Sequence, residues 1–442
     1  MRDGALQRVI LAIALPAMLT SVATALFGLA DMWVIGRLGD AVAQGAVEVG
    51  AKLLMSLLIV FNFLRSSTVA LTAQAAGRED EAAQAEVLVR ALFVALGVGA
   101  LLLLAMPLVI PLGLRMFSAV GPLASLARDY VAIRYWGGVP WLFNAVLTGW
   151  LIGRRRVRAV LAVEVGANLL HIALDVGLVL GLGLGVAGVA VATLSSETAK
   201  LLALAAMAAR EAPARRAITM VRARGTWDLG EFGKLLRLNR DLFGRTLLLM
   251  TATVLLTRAG AQQGAVVLAA NAILYQLFML SALLLDGFES AAQVLCGEAL
   301  GAGRQAEFKR LVRACLVSAG ATALLISLAY AVAGPRLAAS FSTVPAVVAT
   351  AQAYIGWAAL MPLVGVVSFV FDGVFIGSSW TRAMLLSMGW ALAGYLVMLF
   401  VARPLGNHGV WLAFSLFFLL RGVGQAIMLP ALVRRSFAGV AS

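Results

Sequence analysis

Apolar residues run along this chain in stretches far longer than the core helices of a soluble domain, broken by short polar connections. Hydropathy marks twelve of them, at about 9–34, 45–72, 83–112, 122–150, 157–181, 184–208, 236–258, 266–295, 308–333, 344–371, 380–402 and 407–431. Each reaches the roughly 20 residues that a helix needs to cross a bilayer. The pattern predicts an all-α polytopic membrane protein with twelve transmembrane helices. The first run, from Val9 to Ala30, lacks a small-residue cleavage site after a short apolar core. It reads as a retained span rather than a signal peptide.

Composition agrees with that class. Of 442 residues, 62% are hydrophobic and 13% charged, and the mean hydropathy is +0.96, which excludes an ordinary soluble protein. The net charge of +14 would suit a nucleic-acid partner, but its distribution points elsewhere. Arg154, Arg155, Arg156 and Arg158 follow the fourth span; Arg210, Arg215, Arg216, Arg222 and Arg224 follow the sixth; Arg304, Lys309 and Arg310 follow the eighth; Arg434 and Arg435 follow the last. The connections after odd spans carry little more than single arginines such as Arg37, Arg258 and Arg403. This is the positive-inside pattern, so both termini are expected in the cytoplasm and no nucleic acid is expected as a partner. Cys296 and Cys315 lack metal-ligand spacing and read as small apolar residues.

The chain also repeats itself. The polar stretch from Glu211 to Glu231 falls near the middle and divides the sequence into a lobe at 1–209, a cytoplasmic linker at 210–231 and a lobe at 232–442. GxxxG pairs close at Gly153 and Gly377, Gln/Glu-x-x-Gly turns end at Gly77 and Gly301, and Gly185-Val186 matches Gly409-Val410. All three share one offset, 224 residues (377−153, 301−77, 409−185). Six spans per half is an even number, so the two pseudosymmetric lobes have the same orientation in the membrane and enclose a central cleft.

The expensive residues in this apolar background are the candidates for function. Asn168, His171 and Asp175 are spaced i, i+3, i+7 on the fifth span, and Glu164 extends the stripe by a turn. Charges at such depth cost several kcal/mol, roughly 2.5–3.5 per residue on insertion scales, and must face protein or a wet cavity. By the repeat offset Asp31 corresponds to Leu255 and Asp175 to Leu399, so these acids exist in one lobe only, which packing alone would not require. Counted at about 1.5 Å per residue, both lie near 30 Å from the inner surface and can face one another. Two carboxylates in one desolvated site compete for charge and can bind and release a proton near neutral pH. Glu164 reads as the wet end of its helix or as a proton feed. Asn168 reads as an interhelical hydrogen bonder or a member of the site. Arg65 and Glu289 are also related by the offset (289−65 = 224), which suggests an ion pair latching the cytoplasmic side, or two groups each satisfied within its own lobe. Asp286 and Asp372 precede glycine near predicted helix ends, where they would attract cationic substrates or serve structure. Met32, Trp33, Phe61, Phe288 and Met279 are candidate cleft residues by span alone, and Pro16, Pro140 and Pro362 are candidate bending points. No Gly-rich phosphate loop, metal-spaced Cys/His cluster or catalytic constellation is present, with His171 and His408 the only histidines. No cofactor and no enzyme activity are expected, and ATP-driven transport is disfavoured.

The repeated halves, the LTAQAAGRED turn, GWLIGRRRVRAV, ANLLHIALDVGLVLGLGLGVAGVAVAT, NRDLFGRTLLLM and LLLDGFESAAQVLCGEALGAGR together resemble the multidrug and toxic compound extrusion (MATE) family, in its DinF-like branch, over essentially the whole chain. The resemblance implies a V-shaped pair of lobes that alternates between outward-open and inward-open states. It also implies exchange of organic, often cationic compounds for H+ or Na+, with Asp31 and Asp175 in the coupling site and Thr193 as its nearby hydroxyl. The family commonly has Asn four residues before the fifth-span acid; here His171 stands there, which would add a titrating imidazole or a hydrogen-bonded structural residue. The expectation is therefore a monomeric, secondary-active exporter of the bacterial inner membrane, coupled to H+ or, as the alternative, Na+. The rivals are a lipid or lipid-linked sugar flippase of the same superfamily and, more distantly, an intramembrane enzyme.

Overall fold

The computed structural model describes residues 3–438. In chain order its helices are α1 (Asp3–Gly36), α2 (Ala41–Ile59), α3 (Phe63–Gly77), α4 (Glu81–Met116), α5 (Gly121–Tyr135), α6 (Gly138–Gly153), α7 (Val157–Asp175), α8 (Gly185–Ala209), α9 (Ala212–Met220), α10 (Leu229–Ala261), α11 (Ala265–Gly301), α12 (Gln305–Ser340), α13 (Pro345–Ala353), α14 (Ile355–Gly377), α15 (Thr381–Val401) and α16 (Asn407–Ala438). Among the described residues there is no strand. Among the described residues eleven helical stretches, one of them running through α2 and α3, are long and apolar enough to cross a membrane, and α6 is a shorter apolar helix. Aspartates start two of the spans: Asp40 accepts hydrogen bonds from the Val42 and Ala43 amides at 2.8 and 3.1 Å, and Asp80 from the Ala83 amide at 2.9 Å.

The chain packs as two compact units. One comprises Leu19–Leu236 and is called here the N-terminal unit; the C-terminal unit comprises Met1–Met18 and Arg237–Ser442. Both boundaries fall inside helices, one in α1 just after Pro16 and one in α10. Within the C-terminal unit the start of α1 lies tightly on α11, where a side chain at Gly287 would run into the Ala14 carbonyl and Met18.

The repeat recurs in three dimensions. A Cβ at Gly149 would stand 2.5 Å from the Arg65 carbonyl oxygen, and one at Gly153 2.9 Å from that of Val69. In the other unit Gly373 abuts the Glu289 carbonyl and Gly377 that of Gln293. Each pair is related by the same 224 residues (373−149, 289−65, 377−153, 293−69). Both GxxxG motifs therefore let a helix approach its neighbour's backbone directly. Positive φ recurs on the same offset at Arg155 (61°) and Ser379 (59°), where helices α6 and α14 have just ended.

Two sequence expectations need correction. The span predicted at 122–150 is two helices, α5 and α6, with Trp136 and Gly137 between them. Pro140 falls in the first turn of α6, where its missing N–H costs nothing, so it helps to start a helix rather than bend one. The segment after α8 is held against the N-terminal unit. Glu211 pairs with Arg154 and Arg156, each at 2.7 Å, and Arg216 with Glu81 at 3.0 Å. Arg90, on α4, donates from Nε to the Thr226 carbonyl at 2.7 Å, and Trp227 meets Phe93 edge to face, with centroids 4.9 Å apart.

Candidate functional site

Helices α1, α7 and α8 of the N-terminal unit bring the candidate residues together. Asp31 sits five residues before the end of α1 (36−31) and Asp175 is the last residue of α7. His171 lies one turn before Asp175 on the same face, as i, i+4 spacing requires. All three are buried, with 3%, 0% and 0% of their surface exposed for Asp31, His171 and Asp175. Nε2 of His171 is 2.6 Å from Asp31 Oδ1 and 3.1 Å from Asp175 Oδ2. The second contact is not aligned as a hydrogen bond, and neither Asp175 oxygen has a hydrogen-bond donor among the described residues. On the other side of the ring, Ser196 Oγ stands 3.4 Å from Nδ1. One imidazole nitrogen thus faces two carboxylates, one on its own helix and one 140 residues earlier in the sequence.

A π-helical turn, Val176–Gly181, begins directly after Asp175. Such turns insert an extra residue into the helical ladder and shift the side chains that follow. Asp175 is accordingly the last group held in register with His171.

The three donor atoms of Asp31, His171 and Asp175 lie within 4.8 Å of one another. That spacing suits a proton shared among three groups and also a small cation held between them. Around the trio is a second layer that sequence reasoning did not single out. Arg134 donates to the Tyr130 hydroxyl, and its positive charge acts on Asp31. Ser196 was also missed, although it lies three residues after Thr193 and shares its face of α8.

The remaining candidates fall as follows. The Thr193 hydroxyl turns back to the Val189 carbonyl at 3.0 Å, while its own carbonyl accepts from Ser196 at 2.9 Å, so Ser196 is the hydroxyl that reaches the ring. Asn168 donates to the Ala23 carbonyl at 2.8 Å, tying α7 to α1. Glu164 is not a wet helix end. It is 5% exposed, accepts from Thr24 at 3.1 Å and pairs with Lys200 of α8 at 2.6 Å. Met32 and Phe61 are half-buried, and Trp33 is exposed with Arg37 over its ring at 4.7 Å. Arg65 is half-buried on α3, within reach of the field of Lys200.

In the C-terminal unit, Asp372 accepts from Arg245 and Arg421, and from Gln425 Nε2 at 2.8 Å. It is wholly buried, and two guanidinium groups neutralise it, so it is an anchor and not a free acid for a cation. Glu289 shares the field of this cluster and of Asp286. Asp286 lies within α11, fifteen residues before its end (301−286), and not at a helix terminus. Phe288, 1% exposed, is buried in the C-terminal unit. Met279 packs against the aromatic core of Phe278, Phe414, Phe417, Phe418 and Tyr395. The repeat counterparts of the trio are Leu255, Tyr395 and Leu399 (31, 171 and 175 plus 224), and all three belong to or pack against that core. The C-terminal unit thus has two leucines and a tyrosine at the positions where the N-terminal unit holds two acids and an imidazole.

Comparison with known proteins fits this architecture. The MatE family model matches residues 16–177 and 243–401, one segment in each half. The chain is 37% identical to DNA damage-inducible protein F of Escherichia coli (strain K12) over 414 residues, which is 94% of this chain and 90% of that protein. It is 24% identical to Protein DETOXIFICATION 45, chloroplastic, of Arabidopsis thaliana, covering 95% of this chain and 77% of the other. Among solved structures, a MATE protein in the bent conformation superposes with a TM-score of 0.88 over 99% of both chains at 20% identity. An outward-facing multidrug resistance MATE family transporter of the MOP superfamily superposes with 0.84 over 97% of this chain and 96% of that one, also at 20%. The chain therefore belongs to the MatE family of membrane transporters.

Proposed function

We propose that this transporter is a secondary-active antiporter which exports organic, cationic or lipophilic compounds by alternating access, driven by proton uptake at Asp31, His171 and Asp175. The observation that carries the reading is the single His171 nitrogen within 3.1 Å of both carboxylates. A neutral ring leaves two buried anions together, which like-charge repulsion and desolvation disfavour. A proton on the ring or on either acid relieves that repulsion, so one proton serves all three groups. The imidazolium form also bears on the choice of ion, because a positive ring at those oxygens repels Na+ from the same place. Protonation changes what Asp31 and Asp175 must be held by. It thereby changes how α1 and α7 are tied together, a bistable contact of the kind that alternating access needs. In this reading the protein is a monomer of a bacterial inner membrane, with both termini in the cytoplasm.

Efflux of several lipophilic dyes from vesicles under separately imposed proton and sodium gradients tests the reading. Transport driven by ΔpH and unaffected by Na+ is expected. Transport that runs on a sodium gradient at zero ΔpH would overturn it.

A further inference from the structure

A second feature lies wholly within the C-terminal unit. Between the ends of α10, α15 and α16 is a cavity of about 560 Å³, within the size range of small-molecule sites. Its floor is apolar and includes Leu255, Leu399 and Val410, while Arg258, Gln262 and Arg403 stand at its rim. Leu255 and Leu399 occupy the positions that are Asp31 and Asp175 in the other half, so this cavity has none of the chemistry of a cation site. No Asp or Glu is among its lining residues. Arg258 forms no ion pair among the described residues. Arg403 lies 5.0 Å over the ring of Phe400, which leaves its N–H groups uncommitted to any carboxylate. Both arginines belong to the connections where basic residues are sparse, so the charge pattern that orients the chain does not explain them. Phe400 and Val401, beside the rim, are 67% and 63% exposed, which continues the apolar floor outward.

We propose that this cavity binds an anionic amphiphile, with its acidic head between Arg258 and Arg403 and its apolar tail along Leu255, Leu399 and Phe400. A guanidinium pair suits a phosphate or carboxylate head, and a tail supplies the contact that a small ion cannot make with the floor. The head could belong to a membrane phospholipid or to a free fatty acid, two sources of one chemistry.

The test is native mass spectrometry of the purified full chain in neutral detergent, titrated with phosphatidylglycerol, with phosphatidylcholine of the same acyl chains, and with oleate. Wild-type protein is expected to take up phosphatidylglycerol, oleate or both about tenfold more tightly than phosphatidylcholine, equal to about 1.4 kcal/mol. Phosphatidylglycerol alone would identify a phospholipid site, and oleate a site for free amphiphiles. The Arg258→Gln, Arg403→Gln double variant should lose the preference, and Arg336→Gln, an exposed arginine away from the cavity, should retain it. If the double variant fails to fold, Arg258→Gln alone carries the test, since that side chain is exposed. The proposal fails if wild type shows no preference for anions, if the preference survives in the arginine variants, or if inorganic phosphate competes as well as the amphiphiles.

Discussion

Nε2 of His171 stands 2.6 Å from Oδ1 of Asp31, and the same nitrogen is 3.1 Å from Asp175. The ring links α1 to α7, and one nitrogen carries at most one hydrogen, so it can donate fully to only one acid at a time. His171→Asn keeps a short polar group but removes the titrating ring. We expect its dye efflux to lose the wild-type dependence on pH while the protein still folds. His171→Leu takes from buried Asp31 the ring nitrogen that bonds it and should cost about 1–3 kcal/mol of stability. A pH–efflux profile of His171→Asn that superimposes on wild type would remove the ring from the proton path.

Asp372 makes the opposite kind of site. Arg245, Arg421 and Gln425 all donate to it, so the acid holds two cations in place inside the C-terminal unit. Removing one partner from a buried charge cluster typically costs about 3–5 kcal/mol. Asp372→Ala should therefore lower the melting temperature and the yield of folded protein, with lost transport as a consequence. A variant of normal melting temperature with altered substrate range would instead make Asp372 a substrate contact.

The paired glycines give a contrast within one protein. Gly149→Ala and Gly373→Ala each push a methyl group into a neighbouring backbone carbonyl, and we expect losses of about 1–3 kcal/mol. At Gly166, on α7, nothing lies within 4 Å of an added Cβ. Gly166→Ala should be neutral or stabilising by up to about 1 kcal/mol. Thermal unfolding in detergent distinguishes the two outcomes.

Outside the membrane spans, Glu211 gives a pH dependence of known sign. Partial burial would raise its carboxyl value, but hydrogen bonds and charge from Arg154 and Arg156 prevail and hold it below the ordinary 4.5. A depressed carboxyl contributes stability that is complete above the unfolded value and lost as pH falls through the folded one. Acidification below pH 4.5 should therefore release α9 from the N-terminal unit, seen as faster proteolysis within residues 212–228. Glu211→Gln should show that susceptibility already at neutral pH.

The transmembrane spans were legible because a helix in lipid must be apolar for some twenty residues whatever it packs against. The buried acids were legible for the converse reason, since a charge there is too costly to be incidental, and the one-sided repeat singled out Asp31 and Asp175. Partners across helices were not legible. Glu164 looked like a wet helix end because nothing in one sequence says that Lys200 faces it from α8. Asp372 could be read as attracting substrate or as serving structure, because its partners Arg245 and Arg421 lie 127 and 49 residues away. Thr193 and Ser196 share a face of α8 and both bond back to the helix's own carbonyls, and only the contact of Ser196 with the ring separates them. The break between α5 and α6 carried a signal, in Gly137, Gly138 and Pro140 and in the charged Arg128, Asp129 and Arg134 before them, that the average hydropathy of the run concealed.

Proton-driven dye efflux by Asp31→Asn in everted vesicles bears most directly on the coupling mechanism. With Asp31 unable to ionise, the trio loses one of its two carboxylates, and efflux on imposing ΔpH should fall to that of vesicles without the protein, while folding and dye binding persist. Efflux at the wild-type rate in that variant would contradict the account.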